Sequence, residues 1–219
     1  MLVAMTVLTD RVQEMTGKLD TLQSTVDMLQ LKVDDLTGDV IAVGSLGKEI
    51  YYVLYSNGNL LVRGTGEMYD YDLDTNLSPL RGNSDIQAVV IDEGIVSVGD
   101  YVFGNCKNMK NITLPPSLTS IGQAAFMQGD NYIGEVCGLT NIAIPSKVTS
   151  ISGSAFWGTA IESLVILDSV TEIGKYAFRD CTALKKVTIN GTVIGEFMFV
   201  SCTKPVSYTH LRAHETSAH

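Results

Sequence analysis

Apolar residues over the first forty positions fall at Met1, Met5, Leu8, Val12, Met15, Leu19, Leu22, Val26, Leu29, Val33, Leu36 and Val40, in alternating steps of four and three. A period of 3.5 keeps one narrow seam facing a partner and winds helices into a left-handed supercoil. A lone amphipathic helix lying on a globular domain shows a wider stripe. The spacing predicts a coiled-coil stalk over residues 1–43. Val12, Leu19, Val26 and Val33 take position a, and Met15, Leu22, Leu29 and Leu36 take position d; these eight are the candidate oligomerisation residues. Val at a with Leu at d leans toward a parallel dimer. The flanking Arg11, Thr16, Lys18, Gln23, Thr25 and Gln30 carry no complementary charge pattern, so dimer and trimer both stand. Gly38, Gly44 and Gly47 supply the break that ends the helix.

The pattern then changes period. Ile50–Tyr55 and Leu60–Arg63 are strand-like runs separated by Ser56-Asn57-Gly58-Asn59. Asn-Gly between such runs is a strong hairpin signal, because both residues tolerate the positive φ that a tight turn requires. A hairpin cap is expected over residues 48–85. Within it, Asp70, Asp72 and Asp74 stand at alternate positions. A calcium loop of the EF-hand type would also need Gly and Glu where the chain has Thr75 and Arg81, so a solvated acidic turn is the better reading.

From Ile86 one unit recurs five times: IQAVVIDEGIVSVGDYVFGNC, NITLPPSLTSIGQAAF, NIAIPSKVTSISGSAF, SLVILDSVTEIGKYAF and KVTINGTVIGEFMF. Phe103, Phe126, Phe156, Phe178 and Phe199 lie 23, 30, 22 and 21 residues apart, each preceded by four positions by Gly99, Gly122, Ser152, Gly174 or Gly195. Each unit opens on an alternating pair, Val89/Ile91 through Val187/Ile189, which reads as a short strand with one face inward. V-T-x-I-G reads as a second extended piece and A-F-x-x-C as a helical turn. So small a unit cannot bury its own apolar face; units must stack, with the phenylalanines in an internal column. Cys106, Cys181 and Cys202 follow that column by three and share one inward site, which Gly129 and Thr159 fill elsewhere. A ladder of small buried thiols fits this better than a metal site, and no cofactor or metal is expected.

Composition narrows the function. Asp+Glu 24 against Lys+Arg 15 gives a net charge of -9, which argues against a phosphate-backbone partner. The three histidines, His210, His214 and His219, sit in the last ten residues, so the residue most used for proton transfer is missing from the repeats. Carboxylates such as Asp168, Glu172 and Asp180 fall at repeat-surface positions with no paired cleft to be inferred. No enzyme activity is expected. No run approaches the roughly 18 apolar residues of a membrane span, and MLVAMTVLTD, with no basic start and an Asp at its end, does not read as a signal peptide.

The unit L-x-x-I-x-I-P-x-S-V-T-x-I-G-x-x-A-F-x-x-C resembles the BspA-like leucine-rich repeat, and NGNLLVRGTGEMYDYD resembles the cap that precedes such repeats, a likeness running from Lys48 to Cys202. The resemblance implies a secreted or cell-surface adhesive protein that binds host proteins or other cells without enzymatic activity. The fold class expected is an α/β leucine-rich-repeat solenoid of short strands and helical turns, carried on an N-terminal coiled coil. The solenoid is expected over 86–204. The stretch 205–219 shares nothing with the repeats and resembles translated adapter sequence, so it is expected to be a foreign or disordered tail.

A solenoid binds through equivalent positions of successive units. Between the strand anchors, Val90, Thr113, Ala143, Val165 and Thr188 point outward as one stripe, whose plain alternative is ordinary sheet surface. The longest gap between column phenylalanines holds the insertion MQGDNYIGEVCG, with Tyr132 and Ile133 at its centre, and insertions in repeats map to loops on one face. Trp157, next to a column phenylalanine, has Gly104, Met127, Arg179 and Val200 as its equivalents, a mixture typical of surface. It is either an interface anchor or a residue that the insertion covers. Thr113, Tyr132, Ile133, Ala143, Trp157, Val165 and Thr188 are thus the candidate contacts for a protein or glycan on another cell surface. A phage tail-fibre-like receptor-binding protein is the alternative. The stalk is tested by sedimentation equilibrium of residues 1–204 beside residues 46–204: a dimer or trimer that falls to monomer is expected, and a monomeric longer form would remove the stalk.

Overall fold

The computed structural model describes residue 15, residues 38–129, 138–190 and 195–203, and the backbone of 207–210. The chain divides into two units, Met1–Gly38 and Asp39–His219. Of the first, Met15 is described, helical and 69% exposed. Val12, Leu19, Leu22, Val26, Leu29, Val33 and Leu36 lie outside the described residues.

The second unit opens with β1 (Val40–Gly47), β2 (Ile50–Tyr55), β3 (Asn59–Gly64) and β4 (Gly66–Glu67). β1 starts inside the segment 1–43 assigned to the stalk, because Ala42 and Leu46 pack inward against the β2 side chains. The hairpin between β2 and β3 forms where Asn-Gly predicts it: Gly58 has φ +86 and donates its N–H to the Tyr55 carbonyl at 2.9 Å. Then the rungs alternate: β5 (Ala88–Ile91), β6 (Ile95–Val98), β7 (Asn111–Thr113), β8 (Ser120–Ile121), β9 (Ser150–Ile151), β10 (Ser163–Ile166), β11 (Glu172–Ile173), β12 (Lys186–Ile189) and β13 (Ser207–His210).

Two parallel sheets run the length of the solenoid. One continues the cap in the order β1-β2-β3-β5-β7 and, past an Asn111–Asn141 bridge, resumes as β10-β12-β13. The other runs β4-β6-β8-β9-β11. Residues 207–210, placed by the sequence pattern in a tail outside the repeats, pair in parallel with 186–189, so their backbone extends the first sheet. Between the sheets lies a continuous core in which Phe103, Phe126, Phe156 and Phe178 are at most 1% exposed. Their rings stack with Phe199 at centroid distances of 5.2–5.6 Å, one ring per rung.

The segment expected to be helical is instead a run of tight turns. Two residues before each column phenylalanine the backbone enters the left-handed region, at Tyr101, Ala124, Ser154, Tyr176 and Phe197, with φ from 50 to 62°. It does so again just after, at Asn105, Gly129, Gly158, Asp180 and Ser201. A left-handed residue ends any α-helix. Every second N–H is thereby swung sideways. The N–H groups of Tyr101, Phe103 and Asn105 donate to the carbonyls of Gln123, Ala125 and Met127, and the three later junctions repeat the pattern at 2.8–3.2 Å. The strands and the turns are therefore bonded laterally in the same way.

Glycine precedes the turn because successive turns nearly touch there. A Cβ on Gly122 would lie 2.6 Å from the Gly99 carbonyl carbon and 2.7 Å from the Asp100 nitrogen.

The column makes a graded prediction. Phe126 has a ring on each face, so Phe126→Ala should lower stability by about 3–5 kcal/mol. Phe199 stacks on Phe178 and is half-buried, and Phe199→Ala should lower it by roughly half as much. Equal losses in chemical denaturation would contradict the column.

Candidate functional site

The stripe predicted on the first sheet is uneven. Ala143 and Val165 are exposed, Val165 by 49%, while Thr113 and Thr188 are half-buried. Val90, expected outward and open, is 2% exposed: its cross-strand neighbour is Leu61, itself 3% exposed, and both lie outside the main core cluster. What remains open is a band of small side chains. Tyr132 and Ile133 lie outside the described residues.

A denser arrangement occupies the turn face of the third to fifth repeats, where Trp157 is half-buried. Its indole Nε1 donates to Asp180 Oδ2 at 2.7 Å, and the Arg179 guanidinium lies over its ring at 4.7 Å from the centroid. Arg179 is also 5.3 Å from the Tyr176 ring, and its Nε is 3.4 Å from the same Asp180 oxygen. Tyr176 stacks on Phe197 at 5.8 Å, and Lys175 Nζ sits 5.3 and 5.2 Å from those two rings. The result is a ladder of alternating aromatic and cationic groups that ends on Phe197, 59% exposed. Repeat stacking builds it, since the residues one after the column phenylalanine (Trp157, Arg179) and those two before it (Tyr176, Phe197) each meet their equivalents one rung on. The sequence singled out Trp157 and aligned Arg179 with it as the equivalent residue one repeat on, without reading the two as a stacked pair. The equivalent positions in the first two repeats hold Tyr101, Gly104, Ala124 and Met127, with no cation among them, so the alternation of rings and cations belongs to one end of the solenoid.

The acidic turn is a structural device. Asp72 Oδ1 accepts the N–H groups of Asp74, Thr75 and Asn76 at 2.7–2.9 Å, and Oδ2 accepts the Thr75 hydroxyl at 2.8 Å. These donors, that of Asn76 foremost, hold the carboxyl well below the usual range. Among the described residues no cluster of three His, Cys, Asp or Glu could hold a metal ion. A cleft of about 470 Å³ in the cap is bordered by Lys48, Glu49, Glu67 and Tyr69, and none of the predicted contacts among the described residues lines it.

The thiols form the ladder that the spacing predicts. Cys181 Sγ donates to the Phe156 carbonyl at 3.2 Å and Cys202 Sγ to the Phe178 carbonyl at 3.3 Å, each reaching back to the previous rung. Thr159, which replaces the thiol in its repeat, bonds the same Phe156 carbonyl and lies 3.3 Å from Cys181 Sγ. Burial pushes the Cys181 thiol up to about 12 and raises that of the half-buried Cys202. Both groups are inert reservoirs of packing, since the thiolate is the reactive form.

Rungs stacked on a phenylalanine column between two parallel sheets define a leucine-rich-repeat solenoid with a β-sheet cap. Residues 81–134 and 130–212 match the family model described as "BspA type Leucine rich repeat region (6 copies)", and the chain belongs to that family. Solved structures are similar to this chain. A leucine-rich repeat protein from Bacteroides ovatus is 21% identical with a TM-score of 0.50, over 73% of this chain and 46% of that one. One from T. pallidum is 20% identical with a TM-score of 0.47, over 74% and 79%. The pneumococcal vaccine antigen PcpA is 17% identical with a TM-score of 0.48, over 74% and 36%. No curated protein matches the chain in sequence.

The thiols carry a pH prediction. Because the folded pKa of Cys181 lies above the unfolded value of 9.0, its contribution to stability is whole below about pH 9 and is lost as pH rises toward 12. Cys202 acts in the same direction. Iodoacetamide at pH 8 followed by peptide mass spectrometry should modify Cys202 ahead of Cys181; equal rates would mean that the turn stack opens as readily inside as at its end.

Proposed function

We propose that this protein is a non-enzymatic, adhesin-like binding module that works outside the cell or at its surface. Oligomerised through the heptad that precedes β1, it recognises protein or glycan through the solenoid. Membership of the BspA-type repeat family supports a binding role, and the heptad supports self-association. The observation that carries the reading is the aromatic–cationic ladder. Trp, Tyr and Arg are the residues most enriched among interface hot spots. A side chain already fixed by stacking and hydrogen bonding surrenders little freedom when a partner arrives.

The mechanism is avidity. A single head with a small recognition patch binds weakly, and joining two or three heads on one stalk makes the second engagement intramolecular, which raises apparent affinity by 10²–10⁴ on the order-of-magnitude scale of linked sites. The insertion holding Tyr132 and Ile133, and the band of Thr113, Ala143, Val165 and Thr188, are the further surfaces available to a partner.

Arrays of purified extracellular-matrix proteins and of glycans, probed with the full chain, test the reading. Any ligand found should lose at least about tenfold in affinity with Trp157→Ala and with Arg179→Ala while melting temperature changes little, and should keep its affinity with Val165→Asp. Loss with Val165→Asp alone would move recognition to the sheet face. A large fall in melting temperature for Trp157→Ala would make the indole a packing residue.

A further inference from the structure

Charge is divided unevenly along the chain. Residues 39–100 hold ten carboxylates against three cations, Lys48, Arg63 and Arg81, whereas residues 101–204 hold seven against eight. Of the three, Arg63 already lies 3.8 Å from Asp92. The cap and the rung beside it therefore carry most of the net charge of -9, and the later repeats are close to neutral. A concentrated field of one sign draws groups of the other sign to it and raises their local concentration.

The cap also has a place where such a group can lodge. A Cβ on Gly47 would lie 2.7 Å from the Glu67 carbonyl oxygen, so only a glycine there lets the β1–β2 turn pack directly on β4. Tyr69 N–H donates to the Leu46 carbonyl at 2.6 Å and Thr65 N–H to that of Glu49 at 3.3 Å. Beside this junction opens the cleft of about 470 Å³. Met68, 4% exposed, and Tyr69, 49% exposed, line it, and the exposed carboxylates of Glu49 and Glu67 outnumber Lys48 along it. Two carboxylates beside an aromatic ring suit a Lys or Arg side chain, whose stem takes the apolar wall while its charge takes the rim.

From Tyr69 the chain runs into a tight loop. Asp72 N–H donates to the Asn76 carbonyl at 2.9 Å, and Asn76 Nδ2 donates to the Asp70 carbonyl at 3.0 Å. The residue after each partner of that closure is a leucine, Leu73 and Leu77, 42% and 54% exposed. Apolar side chains on a loop bonded to itself lose little freedom when a partner covers them. Leu73 is four residues from Tyr69, at most about 14 Å along the chain. One short segment of a partner can reach both the cleft and the leucines.

We propose that the cap cleft and the Leu73–Leu77 loop form a docking surface for a cationic amphipathic segment of a partner protein, separate from the aromatic–cationic ladder. Its Lys or Arg side chains enter between Glu49, Glu67 and Tyr69, and its apolar side chains settle on the two leucines. The chemistry of the surface selects this occupant. An acidic segment is repelled by the field, and a basic segment without apolar residues leaves the leucines in water. The charge sets the encounter rate and the apolar contact sets how long the partner stays.

The test uses the full chain and three short fluorescent peptides, one alternating Lys and Leu, one Lys and Ser, and one Glu and Leu. Anisotropy should show the Lys–Leu peptide binding at least about tenfold more tightly than the equally charged Lys–Ser peptide, and no binding of the Glu–Leu peptide. Glu49→Gln with Glu67→Gln, and separately Leu73→Ser with Leu77→Ser, should each weaken the Lys–Leu peptide by at least about tenfold. All four side chains are exposed, so both variants should melt as the parent does. Asp85→Asn with Glu93→Gln removes the same amount of charge from exposed residues that do not line the cleft, and should leave the affinity within about threefold. An equal loss from that pair overturns the proposal, because the field alone would then hold the peptide. Equal binding of the Lys–Ser peptide overturns it, as does undiminished binding after either the glutamate or the leucine changes. Trp157→Ala should leave the affinity unchanged; a loss there would put the peptide on the ladder and overturn the separate surface.

Discussion

Everything in this solenoid depends on swinging every second N–H of the turn out of its own segment and into the next one. Strands do this by nature. A turn does it only if residues that normally avoid positive φ accept it, and Tyr101, Ala124, Ser154, Tyr176 and Phe197 all do. Each non-glycine residue in the left-handed region costs about 1–2 kcal/mol. What offsets it is collective: a lateral ladder on the turn side that matches the sheet ladders, so that the rungs are clamped along their circumference. With the rungs held at a fixed pitch, the phenylalanines can stack one per rung, the thiols can reach the carbonyl behind them, and glycine is favoured where Gly99, Gly122 and Gly174 pass close to a neighbouring backbone.

The parts of this that were readable in the sequence are those written in side chains. Phe103 to Phe199 and the glycines before them gave the rung count and the inward column, and Asn57-Gly58 gave the hairpin. The turn conformation was not readable, because A-F-x-x-C has apolar residues at helical spacing and Tyr, Ala, Ser and Phe carry no signal for positive φ. Asn105, Gly129, Gly158 and Asp180, residue types that tolerate that region, were the hints of it. The cap was half legible for a similar reason. Its strands follow from alternation, whereas the use of Ser78 and Gly82 to terminate the turn ladder is a matter of backbone direction that composition does not record. At the candidate site, Trp157 stood out as the single tryptophan, but its partners Arg179 and Asp180 lie about one repeat away along the chain.

The cap answers a problem that a directional stack creates. Its first turn offers the carbonyls of Asp100, Val102 and Gly104 with no earlier turn to fill them, and the chain covers them with two backbone N–H groups and a hydroxyl.

The fixed pitch of the rungs also bears on how such a repeat acquires a binding surface without loss of fold. The column phenylalanine is the same in every rung, the position four before it holds Gly or Ser, and the position three after it holds Cys, Gly or Thr, because the rung leaves room for nothing larger there. The position one after the phenylalanine varies more widely, holding Gly104 and Met127, both buried, and then Trp157, Arg179 and Val200, all half-buried. Because pitch is set by the backbone ladder, side chains at this position in neighbouring rungs meet at a fixed distance whatever they are. Placing Trp at one rung and Arg at the next therefore yields a stacked pair, already oriented, with Asp180 bonded to the indole and close to the guanidinium. Recognition chemistry can be rewritten there one residue at a time, while the fold is carried by positions that face the other way.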